Sequence, residues 1–218
     1  KDFIITDTAG IRRKARIDDN IEYYSVLRSI KALEECDIAI ILIDATTIDP
    51  LTGLEAQDMN IISMADKAKK GIVLMVNKWD LVEKDTMTME VYKKNLLERL
   101  QPFKDVPVLF TSALTKQRVL KAIEEAMTVV ERRSQRIPTH ELNDTLLPIL
   151  KQQAPPIYKG KEIKLKYITQ LPTRYPQFVV FCNLPQYVKE PYKRFAENQI
   201  RKLYDLTGVP IDVYFRKS

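Results

Sequence analysis

Four short runs of bulky apolar residues punctuate the first 134 positions: Phe3 to Thr6, Ile38 to Ile43, Ile72 to Val76 and Val108 to Thr111. They are rich in Ile and Val and show no polar alternation, which predicts strands buried on both faces of a parallel sheet. Between them the apolar positions recur at helical spacing. Tyr23, Val26, Leu27, Ile30 and Leu33 share one predicted helix face, and Met89, Tyr92, Leu96 and Leu100 share another. Val119, Leu120, Ile123, Met127 and Val130 make a third, while Thr52 and Glu55 read as a capping box opening a further helix. Strand and helix therefore alternate, the class is α/β, and ligands are expected beyond the carboxyl ends of the strands.

The pattern changes at Arg136-Ile137-Pro138-Thr139, where a charged helix tail meets a proline and a capping threonine. Residues 1–136 are accordingly one expected domain and residues 137–218 a second. In the second, a helix over Thr139 to Gln153 stops before Pro155-Pro156, and Ile163 to Thr169 and Phe178 to Asn183 predict two strands. Pro191 opens a helix with Tyr192, Phe195, Leu203 and Leu206 on one side, Gly208 and Pro210 end it, and Ile211 to Phe215 predicts a last strand. This order describes a small α+β module.

Composition narrows the classes. Of 218 residues, 45% are hydrophobic and 29% charged, enough apolar material for a sizeable core. No apolar run approaches the roughly 18 residues of a membrane span, so no membrane association and a cytoplasmic location are expected. Cys36 and Cys182 lie far apart and His140 is the sole histidine, so neither a zinc site nor a histidine-based catalytic group can be assembled. Charge is unevenly placed. Residues 1–136 hold 22 basic and 22 acidic side chains, whereas residues 137–218 hold 13 against 7, so the whole net charge of +6 falls in the last third. A basic module beside a neutral one can face a polyanion such as RNA; a solvated basic surface is the competing reading.

The candidate chemistry follows the predicted strands. The first runs into Asp7-Thr8-Ala9-Gly10, where an acid can orient a magnesium-bound water and a glycine amide can approach a terminal phosphate. The third runs into Asn77-Lys78-Trp79-Asp80. A carboxylate at Asp80 can accept from the N1–H and N2 amine of guanine, a donor pair that adenine lacks; Asn77 can reach the base edge or tie loops together, and the Lys78 stem can lie on the purine face. A helix-capping aspartate is the alternative. The fourth strand ends in Ser112-Ala113-Leu114, whose amides can meet the guanine O6, and the three turns come in the order such a site requires. Trp79 is expected to pack beside the base site.

DTAG, NKWD and SAL resemble three sequence elements of translation-factor-type GTPases. DTAGIRRKAR, VNKWDLVEK, FVVFCN and RFAENQIRKLYDLTGVPI more closely resemble the Der (EngA) family over essentially the whole chain. That resemblance implies a P-loop-GTPase-type parallel sheet followed by a small KH-like domain, with GTP or GDP and Mg2+ as ligands and Asp7 meeting the metal through water. It also implies an upstream GTPase domain in the same polypeptide and the large ribosomal subunit, rRNA and proteins, as partner.

No GxxxxGK[ST] occurs in the 218 residues. Family topology puts the strand that precedes that loop between those at Phe3 and Ile38, so a chain opening at Lys1 is expected to fold poorly alone, to be inactive, and to belong to a longer polypeptide. Ile11 after Gly10 goes, in the family, with potassium-assisted hydrolysis, and no residue present is assignable as a general base. Arg12, Arg13, Lys14 and Arg16 form either a solvated loop or a switch segment that touches rRNA or a neighbouring domain. The KH-type GXXG loop is absent, with Leu184-Pro185-Gln186-Tyr187 after the second strand of the module, so phosphate contacts from Lys159, Lys161, Lys164 and Lys166 are expected in place of base reading. Tyr158 and Tyr167 are expected first as packing or interdomain residues, with base stacking the alternative. Two functions thus compete: a GTP-binding and GTP-hydrolysing switch that assists large-subunit assembly, or an inactive module that only binds rRNA or protein.

Overall fold

A computed structural model describes residues 4–6, 31–48, 54, 56–83, 88–100 and 105–218. Two compact units divide at residues 128 and 129. In the first, β1 (Ile38–Asp44), β2 (Gly71–Asn77) and β3 (Val108–Phe110) form a parallel sheet in the order β1-β2-β3. Residues 31–35 are helical, α1 spans Ala56–Lys67, α2 spans Thr88–Arg99 and α3 spans Val119–Ser134, the last running on into the second unit. Residues 71–76 of β2 are all buried, as an uninterrupted apolar strand between two neighbours must be. Leu96 and Leu100 sink into the same core, with Met89 and Tyr92 packed against it, along the predicted face of α2.

Four expectations need correction or fall outside this description. β1, expected to be buried on both faces, is buried on one: Ile41 and Ile43 are in the core, whereas Ile40 and Leu42 are exposed. Ile4–Thr6 carry no strand: no ladder reaches them, and Ile4 and Ile5 are exposed. The inward side of the helix at residue 119 is turned from the predicted one: Ala122 and Val129 are buried, Val119, Ile123 and Met127 are half-buried, and Leu120 and Val130 are exposed. Thr52 and Glu55, with the residues from Tyr23 to Ile30 and Phe3, lie outside the described residues.

The second unit is a three-stranded sheet, β4 (Leu165–Gln170), β5 (Gln177–Cys182) and β6 (Asp212–Lys217), with β5 central, antiparallel to β4 and parallel to β6. Phe178, Val180, Cys182 and Ile168 are fully buried on one face, where Tyr192 of α5 (Glu190–Leu203) meets Phe215 of β6 edge-on. The predicted helix over residues 139–153 is helical but not uniform. A turn at Thr139–Glu141 widens into π-helix at Leu142–Leu146 before α4 (Leu147–Gln152). Pro148 accounts for the widening, since it donates no hydrogen bond and its ring excludes the carbonyl four residues back. Asn143 in the wide turn donates to the Ile168 carbonyl at 2.8 Å and accepts from the Ile168 amide at 2.9 Å, occupying the outward backbone groups of β4.

Candidate guanine-binding site

The carboxyl ends of β1 and β2 lie level, with Asp44 and Asn77 as register partners. Past Asn77 the chain turns through Lys78, whose φ of 61° is left-handed, into a 3-10 turn at Trp79–Leu81. A non-glycine residue in that region costs roughly 1 kcal/mol and is kept only where its surroundings hold it. Here they do. Trp79 is 2% exposed, packed against Phe110 at 4.3 Å and Tyr92 at 5.2 Å, so the indole anchors the loop from below as the sequence suggested.

The loops after β2 and β3 are laced together. The Thr111 amide donates to the Val76 carbonyl at 2.8 Å, the Trp79 amide to the Thr111 carbonyl at 3.0 Å, and the Ala113 amide to Asn77 Oδ1 at 2.9 Å. Asn77 therefore acts as the loop tie, and its Nδ2 donors remain for a ligand. The Ser112 amide donates to the Gln117 carbonyl at 3.2 Å and the Ser112 hydroxyl accepts from the Thr115 amide at 3.1 Å, so the second turn is closed on itself. Two of the three amides expected to meet a base oxygen thus have protein acceptors already.

Asn77, Lys78, Asp80, Leu81, Ala113 and Leu114 line a cleft of about 430 Å³. Asp80 is half-buried at its wall, and no hydrogen bond or ion pair engages its carboxylate among the described residues. A carboxylate held in a cleft by a rigid turn, with amide donors alongside, suits a planar ligand edge bearing two adjacent N–H donors. The donor set therefore fits guanine.

Sequence reasoning missed Asp44. Its Oδ2 meets Lys78 Nζ at 2.6 Å, and its Oδ1 accepts from the Thr46 amide at 3.0 Å and the Thr46 hydroxyl at 2.7 Å. Burial alone would raise this carboxyl, but the bonds from Lys78 and Thr46 outweigh it and hold the group at about 2. The salt bridge fixes the Lys78 ammonium beside β1 and leaves its methylene stem to border the cleft. Only the position of Asp44 at the end of an apolar strand hinted at this.

The remaining candidates fall in two groups. Asp7, Thr8, Ala9, Gly10, Arg12, Arg13, Lys14 and Arg16 lie outside the described residues. Lys159, Lys161, Lys164 and Lys166 are all exposed, with Lys164 and Lys166 on the side opposite buried Ile163 and Leu165. At the turn where a GXXG loop was sought, Pro185–Tyr187 forms a 3-10 turn, and Tyr187 stacks on Tyr158 at 3.8 Å. Cys182 is a core residue whose thiol is pushed up by burial, and no cluster of potential metal ligands exists among the described residues.

Residues 25–155 match the family described as elongation factor Tu GTP binding domain, and residues 136–216 match the KH-domain-like region of EngA bacterial GTPase enzymes, C-terminal. The chain belongs to the Der (EngA) family. GTPase Der of Christiangramia forsetii is 52% identical over 217 residues, covering 100% of this chain and 49% of that protein. GTPase Der of Flavobacterium johnsoniae is 54% identical over 217 residues, covering 100% and 48%. This Der-family chain thus spans about half the length of the curated relatives it matches. Among solved structures, Era in complex with MgGDPNP and nucleotides 1506–1542 of 16S ribosomal RNA superposes with a TM-score of 0.47 at 15% identity, covering 97% of this chain and 74% of that one. So distant a likeness adds nothing to the assignment. The GTP-binding-domain family matched over residues 25–155 implies a guanine nucleotide as ligand.

Proposed function

We propose that residues 1–136 form the guanine-reading part of a GTP-hydrolysing switch domain, and that residues 137–218 form a KH-like domain which holds it to the large ribosomal subunit during assembly in the cytoplasm. The observation that carries the reading is the unengaged Asp80 carboxylate in a cleft whose loops are tied by Asn77 and Ala113. In this reading Asp80 accepts from the N1–H and N2 amine of the base, the Asn77 amide donates to the base edge, and the Lys78 stem covers its face. Ser112, Ala113 and Leu114 wall the opposite side. Asp7 would hold Mg2+ through water, and Thr8, Ala9 and Gly10 would border the phosphates. Mg2+ would supply charge neutralisation at the phosphates when bound, and Ile11 after Gly10 goes, in the family, with assistance by K+. The chain acts within a longer polypeptide that carries an upstream GTPase domain.

Base choice is the test. Asp80→Asn in the full-length protein replaces an acceptor by a donor, which still meets N1–H through its oxygen but opposes the N2 amine. Xanthine, with an oxygen at that position, becomes the better partner. A charge-assisted hydrogen bond is worth about 1.5–3 kcal/mol, so GDP affinity should fall on the order of tenfold to a hundredfold while XDP affinity rises. Titration calorimetry with both nucleotides reads this directly, and an unchanged GDP affinity would remove Asp80 from the site.

A further inference from the structure

The outward face of the second unit's sheet carries a feature that phosphate binding by lysines does not use. Up to Leu165 the border strand alternates, with Ile163 and Leu165 buried and Lys164 and Lys166 exposed. A bulge between Leu165 and Tyr167 breaks the alternation, so that Tyr167 joins Lys166 on the exposed side and Ile168 returns to the core. Tyr167 is 43% exposed. Its ring lies against that of Phe181, its register partner on β5, with centroids 4.3 Å apart and planes within 15°. Phe181 in turn has Arg216 of β6 as register partner.

Rings stacked across neighbouring strands stand upright, so Phe181 covers one face of Tyr167. The other face looks away from β5, because β4 is the border strand. No other ring, hydrogen bond or ion pair engages Tyr167 among the described residues. A polar-tipped aromatic ring with one open face, Lys166 next to it on the strand and Lys164 just before the strand begins, matches what single-stranded nucleic acid requires: a π surface for a base and cations for its flanking phosphates. Charge complementarity points the same way, since the +6 of the whole chain lies in residues 137–218.

We propose that a nucleobase of single-stranded RNA stacks on the open face of Tyr167, continuing the Tyr167–Phe181 pair, while Lys164 and Lys166 hold the phosphates on either side of it. The inference rests on the RNA-holding role proposed above for residues 137–218 and adds to it a contact with bases. Such a contact is tolerant of sequence, because every base offers a π face, and it needs no GXXG loop.

The test uses the full-length protein, a fluorescently labelled oligouridylate dodecamer, and a dodecamer of the same phosphodiester charge without bases. The protein should bind the oligouridylate on the order of tenfold more tightly than the abasic strand. Tyr167→Ala should lower oligouridylate affinity to the abasic level and leave abasic binding unchanged, whereas Tyr167→Phe keeps the ring and should keep the preference. Equal affinity of the unsubstituted protein for both strands would overturn the stacking contact, leave phosphate binding standing, and make Tyr167 a protein-contact residue. Failure to bind either strand would overturn the RNA-holding role itself and the stacking contact with it.

Discussion

At the scale of single residues, the cleft proposed for the nucleotide depends on groups that hold its loops as much as on groups that face it. Asp44 is the clearest case, because its pairing with Lys78 bridges the end of β1 to the left-handed turn that presents Asp80. The carboxyl is held at about 2 against an ordinary value of 3.8, so its contribution to stability is complete above about pH 4 and is lost as pH falls toward 2. Lys78 is half in solvent, so the contribution is discounted to about 1 kcal/mol. Urea unfolding followed by Trp79 fluorescence should therefore show the first unit weakening between pH 4 and pH 2, with Asp44→Asn less stable at pH 6 and less sensitive to that acid step. Identical acid sensitivity in the variant would remove the pair from this role. Trp79 suits the purpose, being the sole tryptophan and buried under the cleft.

At the scale of elements, Asn143 joins the helical run at residues 139–152 to the border strand of the second sheet. Its side chain takes both the amide and the carbonyl of Ile168, a fully buried residue. Asn143→Ala leaves both groups without a partner in the core. Each buried polar group so stranded costs about 1–3 kcal/mol, and chemical denaturation of the second unit should register a loss of roughly 2–6 kcal/mol; a loss below about 0.5 kcal/mol would show that water replaces the side chain. Such contacts explain which elements could be read from sequence. β2 and the buried face of α2 were legible because an uninterrupted apolar strand and a Met89–Tyr92–Leu96–Leu100 stripe need no knowledge of their neighbours. The inward face of α3 was legible only in part, because adjacent apolar residues such as Val129 and Val130 leave its rotation about the helix axis open, and the structure buries the former and exposes the latter. The π turn and the bulge before Tyr167 were not legible either, since each is a one-residue adjustment between elements. In the cleft, Asn77, Lys78 and Asp80 were legible from their order after a strand, whereas Asp44 became visible only once strand register set it level with Asn77.

At the scale of the whole molecule, nucleotide recognition is proposed for residues 1–136, whose charges balance, and polyanion binding for residues 137–218, which carry the net +6. No helix among the described residues is long and apolar enough to cross a membrane. Neutralising phosphates releases counterions, which makes affinity fall with salt at roughly 0.7–0.9 logarithmic units per contact. Lys161, Lys164 and Lys166 are exposed together, and replacing all three with glutamine in the full-length protein should remove up to about two units of that slope. The decisive measurement is the affinity of parent and triple variant for large-subunit precursors across a series of salt concentrations, with GDP affinity determined on the same samples. The account predicts weaker precursor binding and a flatter salt dependence in the variant at unchanged GDP affinity. Equal precursor affinity and equal slope in the two proteins would contradict it, and the basic face would then serve solvation alone.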